Sequence, residues 1–245
     1  MSLEYRQNDE ASQLDAAEQP RRVRSPIPVY TTTLIIALGI VFLAQLAEGL
    51  DNSILRAGFV KPDFLLKHEY WRILTGAATH ASIIHILMNC YAFYSFGGIF
   101  ETLTNRAHLA IVFLLSAIGG GLLSLFLLPD AISVGASGGI VGLVSYLAVY
   151  SFKRRRFITP QFRRSLLINI GFILIFGLVL YQVVDNWGHV GGLITGAVYG
   201  LVQIPTDEYT DPRIASKPVD YTGVVALGIF LTTCAFSVAK IIRLV

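Results

Sequence analysis

The side chains able to do chemistry in this chain are a few polar groups set in apolar surroundings. Ser137 stands in Ser133-Val134-Gly135-Ala136-Ser137-Gly138-Gly139, and His189 in Trp187-Gly188-His189-Val190-Gly191-Gly192. His80, His85 and Asn89 fall in a third stretch. A serine hydroxyl with a histidine to take its proton is the minimum apparatus for acyl transfer. Glycines around Ser137 let the backbone turn tightly and let another chain approach. A serine near the amino end of a helix also lies beside N–H groups that lack an intrahelical acceptor and can stabilise an oxyanion. His85 and Asn89 stand four residues apart and share one helical face.

Each signal also has a plain structural reading. Imidazole and carboxamide groups glue membrane helices together, and Gly-Ala-Ser-Gly is a good tight-packing sequence. Gly188, Gly192, Gly196 and Gly200 recur every four residues and form a smooth ridge for close helix contact, with Gly138 and Gly142 as its natural counterpart. None of these signals decides the matter alone.

The elements that must position these groups are apolar helices. Of 245 residues, 54% are hydrophobic and 14% charged, where a soluble domain carries about a quarter charged residues. Uncharged runs extend over Pro26–Ala47, Ile73–Phe100, Leu109–Pro129, Ala131–Phe152, Ser165–Val184, Asn186–Thr206 and Tyr221–Ala239. Crossing a hydrocarbon core takes about 20 helical residues, so the runs predict seven spans. Barrel strands would be about half as long, with period-two patterning, and that pattern is absent. The fold class is therefore an all-α polytopic membrane protein. A net charge of +3 is too small to argue for nucleic acid. Cys90 and Cys234 lie in separate apolar stretches and read as structural thiols. The first run is not a convincing signal peptide, since it follows the mostly polar Met1–Val29, whose five acidic residues also fit poorly with a mitochondrial transit peptide; Met1–Val29 reads as a polar cytoplasmic tail.

Arg21, Arg22 and Arg24 precede the first span, and Lys153, Arg154, Arg155, Arg156, Arg163 and Arg164 surround the link between the fourth and fifth. The positive-inside rule puts both groups in the cytoplasm. Lys240 and Arg243 end the seventh span on the outside, against the rule. The long first external segment contains Ile54-Leu55 and Phe64-Leu65-Leu66 and ends in Tyr70-Trp71, as suits a segment lying partly in the outer interface. Spans two, four and six then all enter from outside. Ser137 lies about 10 Å into its uncharged run, His189 near the outer end of span six, and His85 in the outer half of span two. Three separate helices thus present Ser, His and His/Asn at one depth.

With these residues assembled, the sequence resembles the rhomboid family of intramembrane serine proteases. The resemblance rests on Trp71-Arg72, His80, the His85–Asn89 pair, Gly97-Gly98 with Glu101, Gly135-Ala136-Ser137-Gly138, and His189 beside its glycine ridge. It covers about residues 27–201. It implies a six-helix core at 30–206, preceded by the polar tail 1–29 and followed at 207–245 by a cytoplasmic linker and a seventh helix. It also implies Ser137 as nucleophile and His189 as general base, a dyad with no acidic third member. His85, Asn89 and the Ser137 N–H would stabilise the oxyanion. Trp71 and Arg72 belong to the external loop, Glu101 ties the cytoplasmic end of span two, and span five is the gate for substrate. The expected partners are transmembrane protein substrates and the lipid bilayer, with no nucleic acid, metal or cofactor; oligomeric state stays open. The expected location is the cell (inner) membrane, with a cytoplasmic amino terminus and an externally open site.

One departure concerns the base. Some members carry a tyrosine one turn after the serine, stacked on the histidine, where this chain has Val141. Tyr146 cannot replace it, since nine residues at about 100° each put it on the opposite face. Two rivals remain: a catalytically silent rhomboid-like protein that binds membrane clients, and a transporter relaying protons or ions. The first would lose Ser137 or His189. The second would place charged groups near midplane, and the spans contain none.

Overall fold

Apolar runs this long satisfy their backbone groups internally by coiling into helices, and the computed structural model of the protein, describing residues 27–207 and 209–245, is built from them. The arginines at 21, 22 and 24 and most of the amino-terminal tail lie outside the described residues. In chain order the elements are α1 (Val29–Glu48), α2 (Leu50–Ala57), β1 (Phe59–Val60), α3 (Lys61–Leu66), α4 (Arg72–Ala78), α5 (Ile83–Leu103) and α6 (Arg106–Leu127). They continue with β2 (Ile132–Ser133), α7 (Ser137–Lys153), α8 (Pro160–Val179), α9 (Asn186–Gln203) and α10 (Lys217–Ile241). The molecule is a multi-pass helical bundle, with a two-stranded antiparallel ribbon pairing Phe59 with Ser133 and Val60 with Ile132.

Five helices, α1, α5, α6, α8 and α10, are long and apolar enough to cross a bilayer. The seven charge-free runs are thus only partly matched. α7 has 17 residues, about 26 Å of helix. α9 has 18 residues, and glycines, Asn186, His189 and Gln203 dilute its apolarity. Both pack at the centre, α9 against α6 and α7, so neighbouring helices rather than lipid meet much of their surface. The outer helices instead turn Ile36, Ile40, Leu87, Tyr91, Phe172, Ile175, Val224 and Ile229 outward. An apolar belt of this extent requires a lipid or detergent solvent.

Two boundaries differ from the charge pattern. The run Ile73–Phe100 is not one helix: α4 ends at Ala78 and α5 begins at Ile83, where the Ser82 hydroxyl caps it by accepting from the His85 N–H at 3.1 Å. His80 therefore sits in the break between helices, not within a span. The run Ala131–Phe152 opens with β2, so α7 starts at Ser137 itself. Its serine is the first helical residue, near the amino end as its glycine-rich surroundings suggest.

The two ends of the bundle differ. One carries α2, α3, α4, the ribbon, the starts of α7 and α9 and the end of α10. There Arg56 caps α10 by donating to the Ile241 carbonyl at 2.5 Å. Lys240 lies 5.2 Å over the Trp71 ring. These contacts give the cationic end of α10 a packing role independent of any topology rule. At the opposite end Glu101 accepts from the Thr31 N–H at 2.8 Å and hydroxyl at 2.7 Å, closing the start of α1. There Lys153 donates to the Ile204 carbonyl at 2.8 Å, and Arg154 donates to the Asp207 and Thr210 carbonyls. The strongly basic link 153–164 thus lies at the end opposite Ser137.

Candidate active site

The first residue of α7 is delivered by the ribbon. β2 pairs with β1, and the Gly135 N–H then donates to the Gly76 carbonyl at 2.9 Å. Gly135 has φ +115°, and a Cβ there would lie 2.7 Å from both Nε2 and Cε1 of His85. Only glycine meets both demands. Ser137 follows two residues later, its N–H in the first turn, where no intrahelical carbonyl can accept it.

His189 arrives on α9, whose first turn is capped by Asp185. That carboxylate accepts from the Gly188 N–H at 2.9 Å, and the Asp185 carbonyl accepts from the His189 N–H at 3.2 Å. The glycine ridge sets the helix depth. A Cβ on Gly192 would lie 2.1 Å from the Gly138 carbonyl oxygen, and one on Gly196 would lie 2.1 Å from that of Gly142. A Cβ on Gly120 of α6 would likewise lie 2.5 Å from the Gly188 carbonyl oxygen. Backbone therefore rests on backbone, and His189 Nε2 comes to 2.9 Å from Ser137 Oγ. Both side chains are half-buried.

For Nε2 to accept the Ser137 proton, Nδ1 of His189 must carry its hydrogen. Nδ1 is buried and has no hydrogen-bond partner among the described residues. Among the described residues no carboxylate takes the place of a third triad member. Val141 is buried in the core, and Tyr146 is engaged elsewhere: its ring packs, tilted by 33°, against Phe100 at 4.6 Å and its hydroxyl donates to Gln203. The His189 ring is held by its helix and by Ser137 rather than by an aromatic lid.

The other polar groups divide. The ring edge of His85 faces Gly135, and its Nδ1 accepts from the Ala81 N–H at 3.4 Å. That acceptor role assigns the ring proton to Nε2, on the edge toward the loop before Ser137. Asn89 is buried, and its Nδ2 donates to the His85 carbonyl at 2.9 Å, within its own helix. His80 is fully buried, edge to face with His85 at 5.1 Å. Its backbone is clamped by the Gln45 carboxamide, which accepts from the His80 N–H at 2.9 Å and donates to its carbonyl at 3.1 Å. Gln45 was not singled out in the sequence, although a lone fully buried amide in an otherwise apolar span is a usable signal.

Arg72 organises the loop above the site. Its guanidinium donates to the carbonyls of Leu55 at 3.1 Å and Gly58 at 2.8 Å, to Asp63 at 3.3 Å and to Glu69. It also stacks on Trp71 at 4.7 Å.

A second polar cluster went unread. Asp185 Oδ2 accepts from Ser133 Oγ at 2.5 Å and from Ser124 Oγ, and Ser124 Oγ in turn accepts from Lys61 Nζ at 2.7 Å. In the sequence Asp185 serves only to separate two apolar runs; its spacing to Gly188 as a helix cap was the available signal. A cavity of about 40 Å³ lies between this cluster and Ser137, lined by Ser133, Gly135, Gly138 and Gly188 among others.

Comparison with known proteins agrees with the architecture. The chain is 34% identical over 137 residues to RHOMBOID-like protein 6, mitochondrial, of Arabidopsis thaliana, covering 55% of this chain and 44% of that protein. It is 30% identical over 169 residues to rhomboid protease GluP of Bacillus subtilis (strain 168), covering 67% of this chain and 33% of that one. Inactive rhomboid protein 1 of Papio anubis is 28% identical over 150 residues, covering 60% and 17%. The match thus spans less than half the length of each of these relatives. Residues 67–206 match the Rhomboid domain family, and they include α4 to α9 with Ser137, His189, His85 and Asn89. With more than half of its length matched in this way, the chain belongs to the rhomboid family.

Proposed function

We propose that the protein is an intramembrane serine endopeptidase, and that Ser137 and His189 cut peptide bonds in or beside the outer part of substrate transmembrane segments. One observation carries the reading: the 2.9 Å contact between His189 Nε2 and Ser137 Oγ, made by two helix ends 52 residues apart. Ser137 Oγ attacks the substrate carbonyl carbon as its proton passes to His189 Nε2. The carbonyl oxygen becomes an oxyanion facing the Ser137 N–H and the His85 Nε2–H, with Asn89 joining once its carboxamide leaves the His85 carbonyl. Collapse breaks the C–N bond, and His189 returns the proton to the leaving amine. Water then attacks the acyl ester, giving a proton to His189, which restores it to Ser137 as the carboxylic acid departs. The cavity beside Ser137 is large enough to hold water, and Ser133, Ser137 and Asp185 give polar partners within its otherwise largely apolar lining.

A substrate helix would enter between α5 and α8. α8 packs chiefly on α7 and has no substantial packing against α5; among the five apolar helices its share of buried residues is the smallest, at 11%. The basic link 153–164 at the opposite end supports a cytoplasmic placement of that end and an external opening for Ser137. The partners would be single transmembrane segments presented within the bilayer.

The alternative is a catalytically silent rhomboid relative that binds membrane clients. The match to inactive rhomboid protein 1, 28% identical over 150 residues, motivates it. Purified protein and Ser137→Ala, reconstituted in liposomes with a panel of single-span proteins, separate the two. Cleavage by the first and none by the second is expected. Binding without cleavage across the panel would favour the client-binding reading.

A further inference from the structure

The cluster joining Lys61, Ser124, Ser133 and Asp185 has no place in the proton transfers above, yet it touches both segments that deliver Ser137 and His189. Asp185 caps the helix bearing His189. Ser133 lies four residues before Ser137, on the strand that delivers it. Lys61 follows β1, the partner of that strand, and Ser124 closes the last turn of α6. Lys61 and Ser124 are both fully buried. An ammonium group taken out of water in this way needs a compensating charge. Its hydrogen bond goes to the neutral Ser124 hydroxyl, and that hydroxyl is shared with the Asp185 carboxylate. Burial lowers the pKa of Lys61, and the Asp185 charge opposes the shift. The carboxylate thus has one oxygen on the α9 amide and the other on two hydroxyls, with the lysine charge behind one of them.

We infer that Asp185 and Lys61 are a pair of positioning residues: bridged by Ser124, they fix the first turn of α9 against the Ser133–Ser137 segment and so hold His189 in register with Ser137. The inference rests on the protease reading for its catalytic consequence, but its structural content stands apart from it. A mere helix cap would need Asp185 alone. A charge pair makes Lys61, on a different loop and remote in sequence from His189, equally important. It also makes the two substitutions interdependent, because removing one charge strands the other whereas removing both leaves none stranded.

The test uses full-length protein in detergent with four variants. Asp185→Asn keeps a side-chain acceptor for the cap but loses the charge. Lys61→Met keeps the stem and loses the charge. The third combines both changes, and Lys67→Met, at an exposed lysine, is the control. Two readouts are taken: the rate at which a fluorophosphonate labels Ser137, and amide exchange across residues 185–190. Each single variant is expected to slow labelling about 10- to 100-fold, the loss that accompanies a displacement near 1 Å of a reacting group. Turnover of a cleaved substrate should fall with KM unchanged, and exchange at Gly188 and His189 should quicken. The double variant should recover labelling and protection relative to either single. Lys61→Met behaving as Lys67→Met in both readouts, or a double variant no better than Asp185→Asn, would overturn the pairing. Wild type that is never labelled, with the exchange pattern intact, would refute the protease reading and leave the positional assignment standing.

Discussion

Gly192 sits three residues after His189 on the same helix, and adding one methyl group there tests how the dyad is set. A Cβ at this position would lie 2.1 Å from the Gly138 carbonyl oxygen, 2.9 Å from its carbon and 3.2 Å from its Cα. Carbon and carbonyl oxygen settle at roughly 3.3 Å or beyond, so Gly192→Ala must push α9 from α7 by about 1 Å. Neither side can yield locally, since both contacts are helix backbone. Overpacking costs about 1–3 kcal/mol, partly offset by the gain of about 1 kcal/mol from alanine over glycine inside a helix. A stability loss of about 0–2 kcal/mol should remain. The kinetic effect is larger. Lengthening a 2.9 Å contact by this amount breaks the hydrogen bond, and misplacement of this order costs about 100-fold in rate. The assay compares fluorophosphonate labelling of Ser137 and thermal unfolding in Gly192→Ala and Gly171→Ala. Gly171 has no atom within 4 Å of its would-be Cβ, so that variant should label normally and unfold no earlier than wild type. Equal labelling in the two variants would show that the glycine ridge does not set the Ser137–His189 distance.

Arg72→Lys should destabilise the protein by about 2–3 kcal/mol, because one ammonium cannot reproduce a fork shared among Leu55, Gly58, Asp63 and Glu69; proteolysis between residues 55 and 72 would report it. Asn89→Ala should retain measurable cleavage whereas Ser137→Ala and His189→Ala abolish it, since the Asn89 amide is bonded to its own helix at rest; equal and total loss in all three folded variants would contradict this division. Hydrogen bonds from the Arg213 side chain and N–H hold the Asp211 carboxyl down to about 2 from an ordinary 3.8. Its contribution to stability is therefore present above pH 3.8 and is lost as pH falls toward 2; carboxyl titration followed by NMR should show this midpoint, moving up in Arg213→Gln.

Much of this architecture was legible because membrane helices advertise themselves by what they exclude. Runs free of charge located every long helix, and the four-residue glycine period located the face of α9 that meets Gly138 and Gly142. Local capping chemistry hid the rest. Ser82 breaks the second run and leaves His80 between helices, which hydropathy cannot register because the sequence around it stays apolar. α7 and α9 carry too little apolar length to pass as spans by themselves, since neighbouring helices stand where lipid would. The pairing of Lys61 with Asp185 joins residues 124 positions apart, each of which looks like ordinary loop punctuation. The same holds for Gln45, whose role depends on the His80 backbone arriving beside it. Ser137 and His189 were nameable because Gly135-Ala136-Ser137-Gly138 and the glycine ridge beside His189 carry the family resemblance, which the many other serines and threonines of the spans do not; their 2.9 Å separation had to come from the structure.

The central claim is that Ser137 is a nucleophile activated by His189. Intact-mass measurement after reaction with a mechanism-based serine protease inhibitor tests it most directly. The account predicts one adduct on the wild-type protein, mapped by peptide analysis to residue 137, released by hydroxylamine if it is an acyl ester, absent from Ser137→Ala and nearly absent from His189→Ala. An adduct on another serine, or labelling of His189→Ala at the wild-type rate, would contradict it.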